Sequence, residues 1–253
     1  MADVAAYLAE LTARVQSTVD VVGAYAGGSY ALGAYQPGSS DLDVAVVTRR
    51  TLTPAEKEEL VARLRHDVLP CPARGLELVV YSVDEAASTG VAPAFQLNLN
   101  TGAAMPFRVD FEPDPAEGHW FAIDRAILHD HAVVLTGPPP RAVFGSIPRR
   151  LLLTVIADAL TWHMDGETST SDAVLNACRA LRFAFSGSWS SKVSAGWWAL
   201  DYVAEREVVR GALAARTGSR PPARRESRAF VESVREEIEL MHALERGRLN
   251  ARA

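Results

Sequence analysis

A chain of 253 residues with 48% apolar composition is long enough to bury one large core or two modest ones. Its formal net charge of −5 argues against a protein whose whole surface grips nucleic acid, because that attraction needs many Lys and Arg side chains facing phosphates. Only Lys57 and Lys192 among the 26 basic residues are lysines, a bias of composition that leaves the arginine count uninformative about function.

The chain opens MADVAAYLAE, with acids where a secretory leader carries basic residues, so no signal peptide is expected. Val4, Tyr7, Leu8, Leu11 and Val15 recur at helical spacing and predict an amphipathic helix over 4–18. Val21–Ala26 reads as a short strand that runs into Gly27-Gly28-Ser29 and then a helix. After Pro37-Gly38-Ser39-Ser40, the run Asp41–Val47 alternates acid and apolar residues before turning wholly apolar, as a strand entering a core does. Thr53-Pro54-Ala55-Glu56 supplies a capping hydroxyl, a proline at the first helical position and a glutamate placed to reach back, which predicts a helix to about Val68. Leu76–Val83 is the next expected strand, with Glu77, Val79 and Tyr81 on one face by the two-residue period.

From Asp114 to His129 the pattern is helical, and His131–Leu135 reads as an edge strand before Thr136-Gly137-Pro138-Pro139-Pro140 breaks regular structure. Amphipathic helical segments follow near 148–163, 171–187, 191–217 and 224–247, with no convincing strand. The stretch Leu151–Trp162 falls short of the roughly 18 apolar residues of a membrane span. Cys71 and Cys178 form no CxxC or CxxH pattern and are read as free thiols rather than zinc ligands. An α/β domain followed by a helical domain, in a reducing cytoplasm, is the expectation.

The segment that carries chemistry is Gly27-Gly28-Ser29, followed after eleven residues by Asp41-Leu42-Asp43. A glycine-rich turn at a helix start leaves backbone N–H groups available to phosphate oxygens, and Ser29 adds a hydroxyl. Two aspartates separated by one residue on a strand point the same way, where their oxygens can hold hard divalent cations. Glu77 is expected on a later strand, and three neighbouring carboxylates repel one another unless a dication compensates them.

This arrangement over roughly residues 20–85 resembles the signature of the DNA-polymerase-β-like nucleotidyltransferase superfamily. The resemblance implies an α+β fold with a mixed β-sheet and flanking helices over 1–140, then an all-α helical bundle over 141–253. It implies that Asp41 and Asp43 ligate Mg²⁺, two ions in this superfamily, that bridge nucleotide phosphates. Glu77 is implied as the third ligand or as the base that deprotonates an acceptor hydroxyl, and Gly28, Ser29 and Ser40 as nucleotide contacts. Gly33, Pro37 and Ser40-Asp41-Leu42-Asp43, together with Asn176, Arg179, Gly187, Ser191-Lys192 and Trp198, resemble the streptomycin/spectinomycin adenylyltransferases. That likeness implies that Arg179 and Lys192 reach the ATP phosphates from the second domain.

The resulting expectation is transfer of AMP from Mg·ATP to a hydroxyl of a small acceptor, an aminoglycoside or aminocyclitol, with release of pyrophosphate and no membrane or nucleic-acid partner. Asp165, Glu167 and Asp172 would attract a polycationic acceptor. Phe95 is followed by Gln96-Leu97-Asn98 without the tryptophan of the streptomycin-modifying relatives. His119-Trp120 and Trp162-His163 are possible cleft residues, although such side chains more often pack in a core, and no catalytic role is assigned to them. Nucleotidyl transfer to a protein or tRNA, and a non-catalytic nucleotide sensor, remain alternatives at this point.

Overall fold

The computed structural model describes residues 2–115, 118–165 and 170–250 and divides into two compact units, Met1–Ile147 and Pro148–Ala253. The first unit runs α1 (Ala2–Thr18), β1 (Val21–Ala26), α2 (Gly28–Ala31), β2 (Leu42–Thr48), α3 (Pro54–Leu64), β3 (Leu76–Ser82), α4 (Val83–Ala87), β4 (Leu97–Gly102), β5 (Met105–Asp110), α5 (His119–His131) and β6 (Val133–Thr136). Its sheet has the order β5-β4-β3-β2-β1-β6. Only β2 and β3 pair in parallel, the other neighbours being antiparallel. A parallel pair needs a crossover, and α3 lies in that connection.

The strands alternate between two cores. Leu42, Val44 and Val46 of β2 and Leu76, Leu78 and Val80 of β3 join Leu8 and Leu11 of α1 and Leu60 and Leu64 of α3 in one buried cluster. Ala45, Val47 and Tyr81 lie in a second cluster with Leu128 of α5, Ala86 of α4 and Phe144. By the two-residue period, Asp43 and Glu77 belong to this second face. Full burial of side chains such as Leu60 and Leu64 stabilises the unit by roughly 1.5–3 kcal/mol each.

At the start of α3 the Thr53 hydroxyl accepts from Glu56 N–H while the Glu56 carboxylate accepts from Thr53 N–H, the reciprocal box expected from the sequence. The helix is shorter than expected. Arg65 has already left helical geometry, because His66 N–H is drawn to Thr101 Oγ1 at 2.8 Å and Val68 N–H turns back on Arg65 O at 2.9 Å. The hairpin β4–β5 is an element that the sequence patterns above leave unassigned. Leu97 and Leu99 are buried and alternate with half-buried Asn98 and Asn100. Arg125 of α5 is also buried, and its guanidinium donates to the carbonyls of Glu85, Ser88 and Gly90 at 2.9, 2.9 and 2.7 Å, fastening α5 to the end of α4.

The second unit contains α6 (Arg149–Asp165), α7 (Thr170–Ser186), α8 (Lys192–Ala199), α9 (Arg206–Ala215) and α10 (Arg224–Asn250). The single helix expected over 191–217 is therefore two. A Cβ at Gly196 would lie 2.8 Å from Leu175 and 2.9 Å from Leu213, so α8 packs tightly against both α7 and α9. The chain turns at Asp201–Tyr202 for α9 to fold back, and Tyr202 stacks on Trp198 with ring centroids 4.3 Å apart. His163 and Asn176 are buried and hydrogen-bonded to each other at 2.9 Å, a packing role as expected. Both cysteines are buried free thiols. Among the described residues no helix is long and apolar enough to cross a membrane.

Two outcomes follow for α3. Thr53→Ala should cost about 1 kcal/mol in urea unfolding, the usual loss for an N-cap hydroxyl. The Arg50 guanidinium, followed by the Thr53 backbone and hydroxyl, holds the Glu56 carboxyl down to about 2. A depressed carboxylate contributes stability above its ordinary pKa and loses it as pH falls through the folded value. The stability gap between wild type and Glu56→Gln should accordingly be present at neutral pH and close as pH approaches 2.

Candidate active site

The glycine turn is built directly onto the acid-bearing strand. Gly27 N–H donates to Asp43 O at 2.8 Å, which ties the end of β1 to the start of β2. Gly28 has φ +49, and a Cβ there would fall 1.7 Å from Asp43 Oδ2. Both the backbone angle and the space require glycine, and the Asp43 carboxylate therefore lies directly against the turn. Ser29 Oγ is buried without a hydrogen-bond partner, a costly state for a hydroxyl unless a ligand completes it. Leu128 of α5 supports the turn from outside, 3.1 Å from where a Gly27 Cβ would stand.

The parallel register places Asp43 opposite Glu77, with Leu42 opposite Leu76 and Val44 opposite Leu78. Directly paired residues on one face have side chains about 5 Å apart, so the two carboxylates are neighbours. Asp41 stands just before β2, and its carboxylate is ion-paired with the Arg74 guanidinium. Ser40 is buried, and its Oγ accepts from Gln36 N–H at 3.0 Å, so the hydroxyl oxygen closes the loop that delivers the aspartates.

The electrostatic result is concentrated on Glu77. Burial pushes its carboxyl well above the ordinary range, the negative charges of Asp43, Asp41 and Asp124 add to the push, and Arg74 opposes it. Asp124 belongs to α5, one helical turn before Leu128, and residues four apart share a helix face. Neither Asp124 nor Arg74 is singled out by the sequence motif. Asp124 reaches this neighbourhood only through the packing of α5 on the sheet, a long-range event with no local signal. Arg74 is brought in by strand register, its N–H donating to Ser40 O at 3.1 Å.

Among the described residues, no three His, Cys, Asp or Glu side chains converge as a ready-made cation site. The physical reason is visible at Asp41, whose carboxylate is turned to Arg74. The donor chemistry nevertheless fits a hard dication. Asp43 and Glu77 are register partners, Asp41 is within electrostatic reach of Glu77, and carboxylate oxygens are the ligands that Mg²⁺ takes.

In the helical unit, Ser191 caps α8 by accepting from Ser194 N–H at 3.1 Å. Lys192, in the first turn, pairs with Asp172 of α7 at 3.3 Å. Arg216 approaches the same carboxylate at 3.8 Å. Arg179 is half-buried on α7. Of the acids expected to meet a cationic acceptor, Glu167 and the Asp165 side chain lie outside the described residues. A pocket lined by His163, Thr170, Ser227 and Val231, among others, includes none of the expected catalytic, metal or nucleotide residues.

Two family models match the chain. Residues 8–80 match the nucleotidyltransferase domain, and residues 142–241 match the C-terminal domain of aminoglycoside adenylyltransferases. No curated protein matches the sequence. Among solved structures, the chain is similar to a spectinomycin adenyltransferase AAD(9) from Enterococcus faecialis, determined with ATP and spectinomycin, at 16% identity and a TM-score of 0.66. That alignment covers 91% of this chain and 98% of the other, so the two share a fold over nearly their full lengths.

Because a methyl group at position 28 must displace the Asp43 carboxylate, Gly28→Ala should lower nucleotide-dependent pyrophosphate release on the order of 100-fold, the scale of loss for a catalytic group moved by about 1 Å. Far-UV circular dichroism should be unchanged, which separates a displaced carboxylate from a lost fold.

Proposed function

Because the chain is a nucleotidyltransferase that resembles the aminoglycoside adenylyltransferases, we propose that it transfers AMP from ATP to a hydroxyl of an aminoglycoside or aminocyclitol and releases pyrophosphate. The observation that carries this reading is the placement of Asp43 opposite Glu77 and directly against Gly28. It puts a carboxylate pair beside a backbone turn suited to phosphate.

In this reading Asp41, Asp43 and Glu77 hold Mg²⁺, which when bound neutralises the triphosphate and stabilises the entering and leaving oxygens. The Gly28 backbone, Ser29 Oγ and Ser40 orient the nucleotide. Arg179 and Lys192 supply positive charge for its phosphates, Lys192 from the first turn of a helix, an end that favours anions. The acceptor oxygen attacks the α-phosphorus in line, the bond to the bridging oxygen of the β-phosphate breaks, and the pyrophosphate carries away that electron pair. The acceptor proton passes to the Glu77 carboxylate.

The acceptor class rests on the C-terminal domain match and on charge. The chain as a whole is anionic, which favours a polycationic partner. The ATP and spectinomycin of the AAD(9) structure make this pair the first to try.

Incubation with ATP, Mg²⁺ and separate spectinomycin, streptomycin and kanamycin samples should yield one acceptor whose mass rises by an AMP unit. Glu77→Gln should slow that reaction by roughly 10²–10⁴-fold, the range for loss of a positioned acid or base. Lys192→Ala should mainly raise the KM for ATP. Label transferred from ATP to protein or tRNA, with none on small acceptors, would overturn the acceptor assignment. ATP binding without turnover on any acceptor would overturn the proposed AMP transfer.

A further inference from the structure

Arg74 sits where the peptide backbone is held on every side. Its N–H donates to Ser40 O at 3.1 Å, its carbonyl accepts from Ala104 N–H at 3.2 Å, and the next carbonyl, Gly75 O, accepts from Leu42 N–H at 2.9 Å. The hairpin turn closes the remaining side, since a Cβ at Gly102 would fall 2.4 Å from Gly75 Cα and 2.6 Å from Arg74 O. The side chain is a different matter. It is 43% exposed and ends on the Asp41 carboxylate, which is itself 24% exposed. The backbone is thus pinned while the guanidinium lies partly in solvent.

Resting on the reading of Asp41, Asp43 and Glu77 as cation ligands, we propose that Arg74 is a built-in competitor for the metal, a positioning residue that holds Asp41 until a divalent cation arrives with the nucleotide. A dication alone must take Asp41 from an existing charge-assisted bond. A dication that arrives on ATP brings phosphate oxygens, and a planar guanidinium pairs with phosphate at least as well as with carboxylate. The exchange then gives the guanidinium a phosphate in place of the carboxylate. It ties metal binding to nucleotide binding and keeps the empty acid cluster from repelling itself apart.

Binding of Mn²⁺ to the protein, measured by equilibrium dialysis with a non-hydrolysable ATP analogue at equal total concentration on both sides or absent from both, tests this. Wild type should bind Mn²⁺ weakly alone and strongly with the analogue. Arg74→Met should bind Mn²⁺ alone about 10-fold or more tightly than wild type, a gap of about 1.4 kcal/mol, and Arg74→Lys should restore most of the difference. Arg49→Met, which removes a surface arginine paired with Asp20, should behave as wild type. Arg74→Met binding Mn²⁺ no more tightly than wild type, while Asp41→Asn abolishes binding with the analogue, would overturn the role of Arg74 and leave the ligand assignment standing. Absence of Mn²⁺ binding to wild type even with the analogue would overturn both. Should Arg74→Met not fold, the wild-type Arg74 Nε–H resonance decides: it should shift when Mg²⁺ and the analogue are added together and hold its position with Mg²⁺ alone. An unmoved resonance in both cases contradicts the proposal.

Discussion

The parallel pairing of β2 with β3 is the constraint on which the site depends. Its register sets Asp43 against Glu77, and the alternation of side chains along each strand sends both to the face that also holds Ala45, Val47 and Tyr81. A slip of one residue in either strand would turn one carboxylate into the opposite, wholly apolar cluster. That outcome is guarded by the leucines and valines of that cluster, which would lose their packing partners in the slip. Hydrophobic packing on one side of the sheet thus fixes the placement of charge on the other.

Such a cluster is unfavourable in itself. A carboxyl driven above its ordinary range by burial and by neighbouring acids is a standing cost to the folded state. Arg74 offsets part of it by offering a positive charge at the cluster's exposed end, while the missing Cβ at Gly28 leaves room for the Asp43 carboxylate beside the turn. Together with the unpartnered Ser29 hydroxyl, these are the features that the proposed binding of a divalent cation and a phosphate-bearing nucleotide would use.

The parts that were legible in the sequence are local ones. The strand, the glycine turn and the capping box at Thr53 each lie within a few residues of chain and appear as read, whereas of the aspartate pair only Asp43 is on the strand, Asp41 standing before it with its carboxylate on Arg74. The likeness to nucleotidyltransferases and to the streptomycin/spectinomycin adenylyltransferases is matched by the two family domains. What escaped is non-local. The end of α3 is set by Thr101 on a distant strand, the break between α8 and α9 accompanies the packing of both helices on α7, and the arrival of Arg74 and Asp124 comes from register and helix packing. The hairpin β4–β5 is a milder case, because the alternation from Leu97 to Asn100 is a strand pattern too short to stand out without its partners.

The central claim, that these carboxylates meet around a dication beside the glycine turn, is tested most directly by crystals grown with Mn²⁺ and a non-hydrolysable ATP analogue, using the anomalous scattering of manganese to locate the ion. The account requires an anomalous peak bonded to oxygens of Asp41, Asp43 and Glu77, with triphosphate oxygens against Gly28 and Ser29. A peak elsewhere, or a nucleotide bound with Asp41 still held by Arg74 and no manganese between the strands, would contradict it.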